Sequence, residues 1–250
     1  MAHHRPVRHR RCGAPEQGHL PQHGQFVGFG TGHSPGGDPM FLQALPHHVQ
    51  ELLRRLGRLP AIAPFYLAGG SAIALHLGHR ISVDLDFFTA QEAYEVEPLL
   101  RDLREAGHVT IRQQKRGTLN ATLDDTLLSF FAYPYPLLGS FHDLWGIRVA
   151  GVLDLALMKL AAIGQRGRKR DFVDLYQICQ SGYTLDELLR RMPEKFPNIT
   201  YPSYHLLRAL AYFEDAESDP MPNMLTPLDW AEVKRFFEGE ARRLIGDLLR

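Results

Sequence analysis

The chain has 250 residues with 44% hydrophobic content, enough apolar side chain to bury the core of one large domain or two small lobes. Its formal net charge is zero, which excludes a globally basic nucleic-acid binder and leaves any RNA contact to a local patch. Two cysteines, Cys12 and Cys179, exclude a disulfide framework and a zinc cluster and fit a reducing cytoplasm; no apolar run approaches the roughly 18 to 20 residues that span a bilayer, so a soluble cytoplasmic protein is expected.

Residues 1–39 are rich in His, Gly, Pro and Arg and lack a periodic apolar pattern. Such a composition buries too little surface to offset its ordering entropy, and a disordered tail is expected. Its basic runs are not followed by an apolar segment, so it does not read as a secretory signal. Met40 opens the first patterned stretch, which suggests a translation start assigned too far upstream. From there to Leu59, Val49, Leu52, Leu53 and Leu56 recur at helical spacing, with Gly57 and Pro60 closing the helix.

The stretch FYLAGGSAIALHLGHRISVDLDFF, residues 65–88, carries the densest chemistry. It reads as a buried strand (65–68), a Gly-Gly-Ser turn, a short apolar helix (72–77) and a second strand holding two carboxylates. Side chains alternate along a strand, so Asp84 and Asp86 share one face while Leu85 and Phe87 take the other. Two acids aimed at one spot suit a hard cation such as Mg²⁺, with Mn²⁺ as the alternative, which keeps substrate phosphates as further ligands. Gly69 and Gly70 let a ligand approach the backbone, and Ser71 sits where a helix start presents free N–H groups to anions. Arg80 and Ser82 complete the candidate phosphate-binding set. The plain alternatives are that Arg80 and His79 cap the last carbonyls of their helix and that Ser82 simply opens the strand.

A second amphipathic helix is expected over 92–106 (Val96, Leu99, Leu100, Leu103), stopped by Gly107. Three strands follow as a meander over 108–114, 118–123 and 126–133, with Arg116-Gly117 and Asp124-Asp125 as turns. With the strands near Phe65 and Val83 they make a mixed sheet of about five strands flanked by helices. From Gly151 the pattern turns helical. Leu153, Leu157 and Leu160 form a stripe, and Lys159 lies off it, free to project outward. After Gly167 a further helix buries Phe172, Leu175, Tyr176 and Cys179, with Asp171 and Asp174 on one face. Tyr204–Phe213 and a segment from Thr226-Pro227 through Val233, Phe237, Ala241 and Leu244 complete a helical C-terminal lobe. The expected organisation is an α/β (α+β) chain: a tail at 1–39, a core at 40–150, and a helical lobe at 151–250 that completes the site.

The segment GGSAIALHLGHRISVDLDFF resembles the signature of the AbiEii/AbiGii-type nucleotidyltransferase toxins, a branch of the polymerase-beta-like nucleotidyltransferase superfamily. Lys159 with the stretch QRGRKRDFVDLYQIC, residues 165–179, resembles that family's second signature, and ALAYFEDAESDPMPNML, residues 209–225, its tail. The likeness covers about residues 60–240. It implies that Gly69, Gly70 and Ser71 hold nucleotide phosphates and that Asp84 and Asp86 bind Mg²⁺. It further implies that Lys159 contacts phosphate, that Lys169 or Arg170 assists, and that Asp171 or Asp174 completes the site. A fixed ammonium is a reasonable partner for the charge that develops on leaving pyrophosphate. An NTP as donor, an RNA or tRNA acceptor, a toxin role and a separate antitoxin partner follow from the same likeness.

One departure stands out. The superfamily adds a third carboxylate from a later strand, and here TLLSFFAY presents Ser129. Either two acids suffice, or Asp125 reaches in from the turn, or the site is weakened. A nucleotide- or partner-binding module that has lost catalysis, and a metal-dependent nuclease using the same acids, are the alternatives to a transferase.

Overall fold

The computed structural model describes residues 40–248. The tail expected at 1–39 and the question of its start lie outside the described residues. Helix α1 (His47–Leu56) follows a short 3-10 turn at Leu42–Ala44 and buries Val49, Leu52, Leu53 and Leu56, the four residues whose spacing marks it in the sequence. Strand β1 (Tyr66–Ala68) runs directly into α2 (Gly69–Leu77), and β2 (Leu85–Thr89) returns antiparallel to β1, pairing Ala68 with Asp86. After α3 (Val96–Ala106) the meander β3 (Val109–Lys115), β4 (Thr118–Leu123) and β5 (Thr126–Ala132) is laid down. The β4–β5 turn has Asp124 and Asp125 both at positive φ, as a two-residue type I′ hairpin requires.

The sheet has seven strands, two more than the sequence suggested. A hairpin of β6 (His142–Leu144) and β7 (Ile147–Val149) joins by parallel pairing of β7 with β1, giving the order β3-β4-β5-β2-β1-β7-β6. Each of these strands is only three residues long, too short for a period-2 pattern to register, and their turn places Trp145 and Gly146 at positive φ. The mixed architecture is as expected, because β2 pairs antiparallel with β1 but parallel with β5.

Register fixes what each face carries. Phe87 lies opposite Phe130, and the two rings stack at 5.2 Å on the core side. Alternation therefore sends Asp86, Phe88, Ser129 and Phe131 to the other face. That face is covered in part by α4 (Val152–Arg166) and α5 (Lys169–Gln180). Helix α4 is buried on most sides, and Lys159, expected to project outward, is only 7% exposed.

The remaining helices are α6 (Leu185–Lys195), α7 (Ser203–Leu210), α8 (Glu214–Glu217) and α9 (Trp230–Leu248). Helix α6 has a signal in the sequence that the apolar pattern did not bring out. Thr184 is its N-cap, and its hydroxyl oxygen accepts from the amide of Glu187 at 3.2 Å, half of a capping box. One hydrophobic cluster runs from Met40 through the sheet to Leu244. Among the described residues no helix is long and apolar enough to cross a membrane.

Candidate active site

Helix α2 starts at Gly69, three residues before the predicted start, and this resets the role of Ser71. The N-cap is Ala68, without a side-chain cap, and Gly69 holds φ +66°. Ser71 lies inside the first turn, buried, where its hydroxyl bonds Ser82 Oγ at 2.9 Å and the carbonyl of Asp84. It thus ties the strand that carries the acids to the helix and does not line the cleft. Gly69 and Gly70 do line it, and neither has room for a side chain. A Cβ at Gly69 would stand 2.6 Å from Asp86 Oδ2, and one at Gly70 would stand 2.3 Å from Arg80 Nη2. The glycines are what allow the acids and Arg80 to close on the helix start.

His79 and Arg80 follow the helix, but neither caps it. Gly78 ends α2 in the left-handed region, with its N–H bonded to the Ala74 carbonyl. The two side chains turn instead to Asp174 on α5. Asp174 accepts from His79 Nε2 at 2.8 Å, from Arg80 Nε at 2.7 Å and from Arg80 Nη2 at 2.9 Å. Lys159 Nζ lies 2.8 Å from the same carboxylate and 2.6 Å from Asp171 Oδ1. Two carboxylates therefore balance two permanent cations in a nearly dry cluster. Burial works against each charge, but Arg80 and Lys159 outweigh it and hold the Asp174 carboxyl well below the usual range. In the same way burial opposes the Lys159 ammonium, but Asp174 and Asp171 prevail and raise its pKa. The backbone of 79–81 is clamped from outside, since Ile81 N–H donates to the Asn223 carbonyl at 2.8 Å and Leu225 N–H to the His79 carbonyl at 2.9 Å.

These elements enclose a cleft of about 490 Å³, within the range of ordinary ligand sites. Its floor is the sheet face carrying Asp86 and Ser129, and its wall is a stripe of α4 comprising Leu155, Met158, Lys159, Ala162 and Arg166. Asp84, Ser82, Arg80, Arg170 and Asp171 stand at one flank, Asn120, Gln113 and Arg112 at the other. Asp84 and Asp171 are thus brought together with Asp86 and Lys159. Arg170, 57% exposed, comes within 4.0 Å of Asp84. Asp174 is fully buried behind the cleft and acts on it only through Arg80 and Lys159. Lys169 turns away altogether, its ammonium reaching the Glu217 carbonyl at 3.2 Å and the Trp230 ring at 5.2 Å.

Ser129 sits directly opposite Asp86 in register and hydrogen-bonds it. Asp125 does not line the cleft; it stays in the hairpin turn at the far end of β5. Asp86 is therefore the carboxylate on the floor, and Asp84, just before the first residue of β2, stands beside it at the flank. Burial pushes the Asp86 carboxyl up even though the Ser129 bond and Lys159 pull it down. An under-compensated carboxylate beside a second one is a hard-oxygen donor set that fits a divalent cation. Among the described residues no group of three His, Cys, Asp or Glu side chains is arranged to hold a metal, so any further ligands would come from substrate oxygens and water. Asp171 adds one more open valence: its Oδ2 is buried without a partner among the described residues.

Sequence reasoning did not find Arg112, Gln113 and Asn120 on the β3–β4 hairpin or Arg166 on α4, which the fold brings to the cleft from opposite sides of it. The α4 stripe is legible in retrospect, because residues 155, 158, 159, 162 and 166 follow one helix face.

Comparison with known proteins gives the family and the fold. Residues 51–136 and 133–244 match the family described as "Nucleotidyl transferase AbiEii toxin, Type IV TA system". A protein of Aquifex aeolicus (strain VF5), aq_aa25, is 36% identical over 209 residues, 82% of this chain and 99% of its own. Two solved structures share the fold. JHP933 from Helicobacter pylori has a TM-score of 0.50 at 21% identity, covering 82% of this chain and 93% of that one. A putative nucleotidyltransferase from H. pylori has 0.51 at 18% identity, covering 80% and 95%. The chain belongs to the AbiEii nucleotidyltransferase toxin family of type IV toxin–antitoxin systems, and it is a nucleotidyltransferase.

Proposed function

We propose that the cleft transfers an NMP group from an NTP to a hydroxyl of an RNA strand, tRNA included, with Mg²⁺ held by Asp84 and Asp86, and that a separate antitoxin protein restrains this activity in the cytoplasm. The observation that carries the reading is the convergence of Asp84, Asp86, the glycine-lined start of α2 and Lys159 on one cleft. When bound, the metal supplies Lewis acidity at the phosphate oxygens. The amides exposed at the α2 start and the Arg80 guanidinium favour the triphosphate. Lys159 has two of its three N–H donors on Asp171 and Asp174, which leaves the third for a phosphate oxygen.

In the reaction the acceptor oxygen bonds to the α-phosphorus while the bond from that phosphorus to the bridging oxygen breaks. Pyrophosphate leaves with the electron pair. The hydroxyl proton passes to the carboxylate of Asp84, which is exposed enough to release it to water. Asp174 is a positioning residue: it fixes Arg80 and Lys159 without reaching substrate.

Ser129 in place of a third acid favours a second reading, a nucleotide-binding module with little turnover. Incubation with each α-labelled NTP, Mg²⁺ and total RNA separates the two. Label appearing in RNA with wild type, and falling by about 10³-fold or more in Asp84→Asn, is expected. NTP binding without any label transfer would instead leave the module reading standing, and shortened RNA would point to a nuclease.

A further inference from the structure

The cleft contains a feature that the chemistry above does not use. Strand register places Asp86, Ser129, Asn120 and Gln113 side by side on adjacent strands β2, β5, β4 and β3, a straight polar row across the sheet. At about 4.8 Å per strand the row is roughly 14 Å long. Gln113 and Asn120 are joined, Asn120 Nδ2 to Gln113 Oε1 at 3.0 Å, while Asn120 Oδ1 is buried with no partner among the described residues. A buried amide oxygen left empty is costly, and one that lines a cleft is a place where a ligand's N–H fits. At the row's outer end β3 has a bulge between Ile111 and Gln113, and the extra residue, Arg112, is exposed and turned to the cleft. Bulges of this kind re-aim a side chain.

Topology says which substrate this row meets. Gly69, Gly70, Arg80 and Arg170, which suit a triphosphate, belong to the α2 start, the segment after it and the start of α5, beside the two aspartates, whereas Arg112 stands across the cleft on β3. Phosphoryl transfer proceeds with the attacking and leaving oxygens roughly in line. Pyrophosphate departing on the α2 side therefore requires the acceptor to arrive from the opposite side, over β5, β4 and β3. Among the described residues no carboxylate lines that side.

We infer that Ser129, Asn120, Gln113 and Arg112 form the acceptor subsite, which seats the hydroxyl-bearing terminal nucleotide of an RNA strand opposite the leaving pyrophosphate. This rests on the transfer reading given above. The paired amides offer the donors and acceptors that a base edge carries, and the guanidinium suits the phosphate that follows. A protein hydroxyl as acceptor would need neither.

The test is a pair of binding measurements that require no turnover. A short 5′-fluorescein-labelled single-stranded RNA with a free 3′-hydroxyl is titrated by anisotropy against wild type, Arg112→Glu and Asn120→Ala. A non-hydrolysable analogue of each NTP is titrated in parallel. The expected result is RNA affinity lower by about tenfold or more in Arg112→Glu and by about threefold or more in Asn120→Ala, with analogue affinity held within about twofold, which also reports an intact fold. In turnover the same variants raise the KM for RNA and leave the KM for NTP unchanged. Analogue affinity that falls in step with RNA affinity would make the row part of the nucleotide pocket and overturn the inference. So would unchanged RNA affinity, or label transferred to protein in place of RNA. A wild-type protein that binds RNA along this row and transfers nothing refutes the transferase reading, and with it the acceptor assignment, while the titrations still decide whether the row binds RNA.

Discussion

Asp154 near the start of α4 and Lys159 further along it each belong to a buried ion cluster, and the two clusters are built differently. Asp154 and Lys195 are both fully buried and 2.7 Å apart. Asp154 accepts the amides of Leu138 and Gly139 at 2.8 to 3.1 Å, Lys195 also donates to the Pro136 carbonyl at 2.8 Å, and among the described residues neither side chain has a buried N or O atom without a partner. This cluster pins the loop after β5 to α4 and α6. The Lys159 cluster borders the cleft, leaves Asp171 Oδ2 and His79 Nδ1 buried without partners among the described residues, and holds two cations beside Asp84 and Asp86. A closed set of hydrogen bonds marks a joint, whereas open valences facing a cavity mark a place for a substrate.

The comparison predicts opposite splits between stability and activity. Asp174→Ala should have the largest effect, because it leaves Arg80 and Lys159 buried without the carboxylate that both of them bond. A loss toward the upper part of about 3 to 5 kcal/mol is expected by urea denaturation, together with lost transfer. The cost should depend on pH. The folded carboxyl is held well below the usual range, so its contribution is complete above the unfolded value of about 4 and disappears as pH falls through the folded one. The gap between wild type and Asp174→Ala should therefore stay constant above about pH 5 and narrow in acid. A gap that widened in acid would contradict the assigned ion pairs.

Lys195→Met comes next. It strands Asp154, but the two amides remain, so a loss near the lower end of about 3 to 5 kcal/mol is expected, and the folded fraction should keep its kcat. Asp171→Asn reverses that pattern: transfer should fall by about 10²-fold, while the melting temperature shifts by only a few degrees. If Lys195→Met lowered kcat, or if Asp171→Asn merely destabilised, the distinction between joint and site would fail.

The parts of this arrangement that the sequence disclosed are those set by local geometry. Asp84 and Asp86 follow from strand alternation, the meander from its turn residues, and Asp171 with Asp174 from helix spacing. What stayed hidden depends on partners far along the chain. Lys159 sits off its helix stripe, which reads as exposed until the segment after α2 supplies Arg80 and α5 supplies Asp171 and Asp174 around it. Lys169 and Arg170 are adjacent and equally basic, yet the first packs on Trp230 and the second faces Asp84, a choice made by the C-terminal lobe. Ser71 suited a helix cap, but the helix begins at Gly69 and the hydroxyl went to the acid-bearing strand. The β6–β7 hairpin stayed hidden because three-residue strands gain their identity from the neighbour they pair with.

Gly69 gives the smallest change and the sharpest one. It holds φ +66°, and a Cβ there would lie 2.6 Å from Asp86 Oδ2. Gly69→Ala should cost about 1 to 2 kcal/mol from the backbone alone, a modest shift in melting temperature. The added methyl must also push Asp86 away from the helix start, so transfer should fall by more than this stability loss explains. Pairing the variant with Asp86→Ala separates the two effects. If the damage runs through Asp86, the glycine substitution should lower NTP-analogue affinity in the wild-type background far more than in the Asp86→Ala background; equal losses in both would mean that only the turn is strained.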